Sequence, residues 1–197
     1  MTQFELLDQI IADNQGSIRI AQAKEAGVTK PVFYDYISDR NLERVGPGIY
    51  LSPDAWKDEM YIIHLRYSHA IFSHETALFF HDLTDREPLK YSVTLRTGYN
   101  STKPQADGLH VYTVKKELHS IGLDNATTPF GHDVPVYNAE RTICDILRSR
   151  SSIETFILQD AVKRYARSKE KNLSRLMQYA PLFHVEKLVR QYMEVLL

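Results

Sequence analysis

The stretch from residue 28 to residue 52, VTKPVFYDYISDRNLERVGPGIYLS, restricts the fold of this chain more than any other part of the sequence. Thr29 is a favourable N-cap, and Pro31 falls in the first helical turn, where its missing N–H group costs nothing. The segment PVFYDYISD therefore predicts a helix. LERV and IYLS each alternate as strands do, and the turn GPG at positions 46–48 joins them. The pattern predicts a helix followed by a tight hairpin.

The residues before this stretch complete a known order of elements. Apolar residues recur at helical spacing over residues 2–13 and predict an amphipathic first helix. The segment SIRI predicts a short strand, and AQAKEAG predicts a second helix that ends at Gly27. The order helix, strand, helix, helix, strand, turn, strand is that of a winged helix-turn-helix domain. In such a domain the third helix enters the DNA major groove, with the turn at 46–48 as the wing tip beside it.

The two faces of the third helix are expected to have different tasks. Phe33, Tyr36 and Ile37 share the face that should pack on the core. On the other face, Lys30 can reach a phosphate or a base edge, and Tyr34 can bond a phosphate. The predicted DNA-contacting residues are Arg19, Lys24, Thr29, Lys30, Val32, Tyr34, Arg40, Arg44, Gly46, Pro47 and Gly48.

A formal net charge of −1 does not exclude DNA binding. Affinity depends on the few phosphates that a local patch neutralises rather than on the charge of the whole chain. Because a single small module buries only about 600–1,000 Å² on DNA, two or more copies are expected on double-stranded operator DNA with an inverted repeat. The alternative interpretation is a winged helix that serves as a structural or protein-docking module without specific DNA binding.

The predicted fold class is α+β, with an N-terminal winged helix-turn-helix followed by a mixed α/β second domain and a helical C-terminal tail. Residues 1–52 are predicted to form the first domain, 53–67 a linking helix, and 68–197 the second domain. In the second domain SHETALFFHDL predicts a helix, LKYSVTLRT and LHVYTV predict strands, and TTPFGHDVPVYN predicts a hairpin. From Ala139 onwards the pattern is helical, with breaks near residues 149–151, near 168–172 and at Pro181.

Composition points to a cytoplasmic protein. The N-terminus has no basic n-region typical of a signal peptide, and no apolar run approaches the roughly 20 residues that span a bilayer. Residues 148–197 contain ten basic and five acidic residues. Such a run is a solvated helix face or a contact surface, and both interpretations stay open. The candidate basic surface consists of Lys163, Arg164, Arg167, Lys169 and Lys171.

No enzyme site, cofactor or metal is expected from the motifs. The spacing of the histidines between residues 64 and 81 does not place two of them on one helix face, and no glycine-rich phosphate loop occurs. In YNAERTICDIL, Cys144 beside charged residues could be taken for a nucleophile. The helical spacing favours a structural helix with an ion pair instead, because Arg141 and Asp145 lie at positions i and i+4. Glu140 is expected to help hold this helix against its neighbours, and Cys144 is expected beside the apolar stripe.

Three stretches together resemble the AbiEi-type antitoxins of bacterial abortive-infection, or type IV, toxin–antitoxin systems. They are GSIRIAQAKEAGVTKPVFYDYISDRNLERVGPGIYLSPD, YSHAIFSHETALFFHDL and YNAERTICDIL. The resemblance implies a cytoplasmic two-domain protein whose winged helix represses its own operon at inverted repeats during phage defence. It also implies that the second domain counteracts a toxin of the nucleotidyltransferase fold, without forming a stable complex with it.

Overall fold

The computed structural model describes residues 2–196 and divides into two compact units. The first unit runs up to Ser68 and includes Thr128–His132, and the second contains His69–Thr127 and the chain from Asp133 onwards. The protein is mixed α/β, with two sheets and a helical C-terminal end, and those parts of the sequence prediction are confirmed. Across residues 2–196, no helix combines the length and apolarity required to cross a membrane.

In the described residues from position 2 onwards, the first unit contains four helices and a three-stranded sheet. Its elements are α1 Gln3–Asp13, β1 Ser17–Arg19, α2 Ile20–Glu25, α3 Lys30–Asp39, β2 Glu43–Gly46, β3 Ile49–Leu51 and α4 Glu59–Arg66. The sheet is antiparallel in the order β1-β3-β2. Leu7, Ile18, Phe33 and Tyr36 are nearly inaccessible to solvent and form the centre of its core. The core therefore joins α1, β1 and α3, as the apolar spacing predicts.

Helix α4 is shorter than the sequence pattern indicates. A helix from about residue 53 to Tyr67 was expected, but α4 begins at Glu59. Asp58 caps it by accepting a hydrogen bond from the Tyr61 N–H group over 3.0 Å. The second Asp58 oxygen accepts a hydrogen bond from the Thr128 hydroxyl, so both carboxylate oxygens are hydrogen-bonded where the helix begins. Because an N-cap residue is not itself helical, the helix does not extend to residues before Asp58.

The second unit combines a five-stranded sheet with helices. Its elements are β4 Ile71–Phe72, α5 His74–Phe80, β5 Ser92–Arg96, α6 Thr102–Ala106, β6 His110–Val114, α7 Lys116–His119, β7 Leu123–Thr127, β8 Asp133–Tyr137, α8 Ala139–Arg148, α9 Thr155–Arg167, α10 Leu173–Leu182 and α11 Glu186–Leu196. The strand order is β6-β5-β4-β8-β7. Strands β5 and β6 are parallel. Strands β7 and β8 form a hairpin, but its first strand begins at Leu123, before the stretch TTPFGHDVPVYN in which the hairpin was predicted.

Helix α8 lies at the centre of the second unit. All residues from Glu140 to Leu147 are buried, including the charged ones. The apolar residues of α8, α9, α10 and α11 form one continuous core. The ends of these helices agree with the predicted breaks, except that Pro181 lies inside the last turn of α10 rather than ending it. The helical tail therefore packs around α8 as a single cluster.

Candidate nucleic-acid interface

Helix α3 has one buried face and one exposed face. Phe33 and Tyr36 are each about 1% exposed, and the Tyr36 hydroxyl donates a hydrogen bond to Asp8 Oδ1 over 2.6 Å. Burial, with a further contribution from Asp8, raises the pKa of Tyr36 to about 12, so the hydroxyl keeps its proton. Tyr34, in contrast, is 50% exposed. The aromatic residues of α3 thus divide between the core and the surface.

The exposed face of α3 carries the residues that the sequence predicts for DNA contact. Thr29, Lys30 and Tyr34 are exposed there, together with the acidic Asp35. Val32 is only partly exposed and packs against the core, so little of its side chain is accessible from outside. Thr29, Lys30 and Tyr34 therefore offer an accessible hydroxyl, ammonium group and phenol at the start of α3 and along its exposed face.

The β2–β3 turn lies beside the start of α2. The Ile20 N–H group donates to the Gly48 carbonyl over 2.9 Å, and Arg19 and Gly46 both pair with Ile49. Gly48 has φ +70°, and a Cβ atom there would lie 2.9 Å from Ile20 Cγ2. Only glycine fits this conformation without strain. The structure thereby brings Arg19 close to the turn at 46–48.

The predicted basic contacts are not equally available. Lys24 and Lys30 are exposed, and Arg44 is exposed with its Nε donating to the Gly46 carbonyl over 3.3 Å. Arg40 is also exposed, but it forms an ion pair with Asp8 at 3.2 Å and lies over the Tyr36 ring. The charge of Arg40 is therefore partly offset within the unit itself.

An exposed aromatic pair in the first unit was missed at the level of sequence. Trp56 is 79% exposed and stacks on Phe130, which is 47% exposed, with ring centroids 6.5 Å apart. His132 stacks on Tyr61 and places its Nδ1 2.8 Å from Asp58 Oδ2. These residues are more than 70 positions apart in the chain, so no local pattern could join them.

In the second unit, α8 carries the ion pair that its spacing predicts. Arg141 Nε donates to Asp145 Oδ2 over 3.0 Å, with both side chains buried. Arg141 Nη1 donates to the carbonyls of Leu118 and Ile121 at 2.8 and 2.7 Å. A buried guanidinium with these partners connects α8 to the segment that follows β6.

Glu140 links three parts of the second unit. Its Oε1 accepts hydrogen bonds from the Tyr165 hydroxyl and from the Asn172 N–H group, each over 3.0 Å. Its Oε2 lies 3.4 Å from Arg175 Nη1. The buried carboxylate thus joins α8 to α9 and to the start of α10, which is a structural role.

The Cys144 thiol is unsuited to nucleophilic chemistry. Its side chain is 0% exposed, and burial raises its pKa to about 12. Because the thiolate is the reactive form, a buried thiol with a raised pKa is inert near neutral pH. In the described part of the chain, residues 2–196, no group of three or more His, Cys, Asp or Glu side chains could hold a metal ion.

The candidate basic surface is partly neutralised. Arg164 pairs with Asp85 and, over 2.8 Å, with Asp160. Lys171 is partly buried and donates from Nζ to the Ser168 carbonyl over 3.1 Å. The remaining members, Lys163, Arg167 and Lys169, are exposed.

Comparison with known proteins supports the fold alone. No protein-family model matches the chain, and no curated protein is significantly similar to it in sequence. Among solved structures, the RV2827C protein from Mycobacterium tuberculosis is similar, with a TM-score of 0.62 and 12% sequence identity. The match covers 96% of this chain and 79% of that one. This chain therefore shares an overall architecture with the mycobacterial protein.

Proposed function

We propose that this protein is a cytoplasmic antitoxin and transcriptional autorepressor, with the first unit acting as a winged helix-turn-helix. The observation that carries the proposal is the two-faced helix α3, with Phe33 and Tyr36 buried and with Lys30 and Tyr34 exposed. The element order and the β1-β3-β2 sheet are those expected of a winged helix. In this proposal α3 enters the major groove and the β2–β3 turn contacts the backbone beside it.

The residues assigned to DNA differ in their expected contributions. Lys30 and Arg44 are the cations that the fold leaves most accessible on α3 and at the hairpin, so they should contact phosphates. Arg40 should contribute less, because Asp8 already pairs with it. Because Lys30 and Arg44 are few cations and Asp35 is exposed beside them, one copy should bind weakly, and binding of two or more copies to an inverted repeat is expected.

Titration of the full chain on the DNA upstream of its gene tests this assignment. Fluorescence anisotropy at two salt concentrations, with scrambled DNA of equal length, should show preferential and stepwise binding. Lys30→Ala and Arg44→Ala should each weaken binding and reduce the slope of log K against log salt by about one. Lys57→Ala, an exposed lysine outside α3 and the hairpin, is the matched control and should change neither. Equal affinity for scrambled DNA would contradict the repressor assignment.

The antitoxin assignment rests on the resemblance of the three sequence stretches given above. The second unit would counteract a nucleotidyltransferase-like toxin without forming a stable complex and without a catalytic step of its own. Co-expression with the neighbouring toxin gene should restore growth, and purified proteins should elute separately on size exclusion. Growth arrest despite confirmed expression of the folded protein would contradict this assignment.

A second candidate function is a protein-docking module. The exposed stack of Trp56 on Phe130 favours it, because stacked aromatics of this exposure are typical of contact surfaces. In that case a pull-down with the product of the neighbouring gene should succeed, and Trp56→Ala should abolish it. The same variant should leave DNA affinity unchanged, which distinguishes the two candidates.

A further inference from the structure

A cavity of about 350 Å³ lies in the second unit between β6 and α8. It is lined by Arg141, Asp145, Arg148 and Ser149 of α8 and its end, by His74, and by Thr94 and residues 111–114 of the sheet. This volume is within the range of small-molecule sites. None of these residues belongs to the proposed DNA-binding face.

Arg141 contributes a partly unsatisfied guanidinium to this cavity. The rings of Tyr137 and Phe183 cover its two faces, with centroids 4.0 and 3.9 Å from Cζ. In the plane of the guanidinium group, Nε donates a hydrogen bond to Asp145 and Nη1 donates to the carbonyls of Leu118 and Ile121. Nη2 is buried and has no hydrogen-bond partner among the described residues. Because Nη2 has almost no accessible surface, Arg141 acts on the cavity through its buried positive charge rather than through a free donor.

Two further cavity residues match an anion. Arg148 lines the cavity and is exposed to solvent, so the site has two guanidinium groups against the single carboxylate of Asp145. Ser149 supplies a hydroxyl, whose Oγ lies 3.0 Å from His74 Nε2. Burial, followed by the nearby cations, keeps the pKa of His74 well below its usual value, so the neutral ring adds no charge.

His74 shows that the backbone is constrained at this cavity. Its φ angle is +49°, a left-handed conformation that costs a non-glycine residue free energy. The ring stacks on Tyr112 with centroids 3.3 Å apart, and its Nδ1 lies 3.0 Å from Ser73 Oγ. Such strain is often found beside ligand sites, where the surrounding structure maintains it.

We propose that this cavity binds a phosphoryl group, as inorganic phosphate or as the phosphate of a small monoester. The Arg148 guanidinium and the Ser149 hydroxyl supply donors, and the buried Arg141 adds a second positive charge, so the cavity suits a phosphoryl group with nearly two negative charges better than a carboxylate with one. The apolar side chains of Val111 and Val114 leave room for a small organic substituent. This binding is independent of the proposed DNA contacts.

Isothermal titration of the full chain with inorganic phosphate, phenyl phosphate, sulfate and acetate in chloride buffer tests the proposal. Saturable binding of phosphate in the millimolar range or tighter is expected, with acetate at least about tenfold weaker. A preference for phenyl phosphate would identify a monoester as the ligand, and a preference for inorganic phosphate would identify the free ion. Absence of saturation with both phosphates, or equal binding of acetate, would overturn the proposal.

Variants of the exposed arginines provide the decisive comparison. Arg148→Gln should weaken phosphate binding about tenfold, because one charge-assisted hydrogen bond is lost. Arg167→Gln removes an exposed arginine of α9 that does not line the cavity, and it should have no effect. Arg141→Gln removes the buried charge, and it should also weaken binding where circular dichroism shows a folded chain. Unchanged affinity in Arg148→Gln would overturn the proposal even if Arg141→Gln failed to fold.

Discussion

Arg141 and Asp145 form an ion pair one turn apart on α8, with 3.0 Å between Nε and Oδ2 and with both side chains buried. Removing one partner of such a pair leaves a buried charge without compensation, which costs about 3–5 kcal/mol. We therefore expect Arg141→Ala to lower the free energy of unfolding by about that amount. Urea denaturation monitored by circular dichroism measures it.

The exposed pair of Arg190 and Glu186 on α11 is the control for this prediction. It has the same i, i+4 type of spacing and a distance of 2.9 Å, but it is open to solvent. Arg190→Ala should therefore cost about 0.5 kcal/mol or less. Equal losses in Arg141→Ala and Arg190→Ala would show that burial does not govern the α8 pair.

The protonation of Asp145 should make stability depend on pH. Burial raises its folded pKa to about 6, although Arg141 and Arg148 act in the opposite direction. A carboxyl with a raised folded pKa stabilises the protein most below its unfolded pKa of about 3.9, and this contribution is lost as pH rises through the folded pKa. The wild type should thus lose stability relative to Asp145→Asn between about pH 4 and pH 6. Urea denaturation of both proteins across this pH range gives the free energy of unfolding of each. A wild type that became more stable relative to Asp145→Asn as the pH rose would contradict the prediction.

The hydrogen bond from Tyr165 to Glu140 should contribute measurably to the stability of the protein. Tyr165→Phe removes the 3.0 Å hydrogen bond to Oε1 and leaves the buried carboxylate with fewer donors. We expect a loss of about 1–2 kcal/mol in the free energy of unfolding. Tyr192→Phe is the control, because that partly buried tyrosine packs on the same core through its ring. A cost for Tyr165→Phe no larger than for Tyr192→Phe would argue against a structural role for the hydrogen bond.

Cys144 should be chemically silent in the folded protein. Its pKa is raised to about 12 by burial, so almost no thiolate is present near neutral pH. Labelling with a thiol reagent should proceed only as fast as the protein unfolds and should become rapid in urea. In the co-expression assay proposed above, Cys144→Ala should behave as the wild type does. Rapid labelling of the native protein would reopen the nucleophile interpretation.

Alanine substitutions at two glycines of the second unit distinguish the cost of backbone strain from the cost of steric overlap. Gly122 and Gly108 both have positive φ, at +76° and +91°. A Cβ atom at Gly122 would lie 2.5 Å from Arg141 Cβ, whereas at Gly108 nothing lies within 4 Å. Gly108→Ala should cost about 1–2 kcal/mol from strain alone, and Gly122→Ala clearly more. Thermal denaturation of both variants provides the comparison. Equal decreases in Tm would show that the residues around Arg141 can move to accommodate the added methyl group without a loss of stability.

One prediction from sequence was wrong because a distant residue decides local structure, and another feature differs from its appearance in the sequence. Helix α4 starts at Glu59 rather than near residue 53, because Asp58 caps it and is itself bound by Thr128. The basic run on α9 is less available than its sequence indicates, because Arg164 pairs with Asp85, a residue 79 positions away. Charge counted along a chain does not reveal which side chains neutralise each other across the fold.

The sequence by itself determined the elements whose signals are local. The helix start after Thr29, the glycine-bounded turn at 46–48 and the helical spacing of residues 139–148 depend on neighbours within a few positions. The corresponding helices and strands are present, although the Thr29 side chain forms no capping hydrogen bond. Only the tertiary structure decided the parallel pairing of β5 with β6, the three partners of Glu140 and the cavity at Arg141. These features join segments that are far apart in the chain, so burial and hydrogen bonding in the folded protein determine them rather than any local preference.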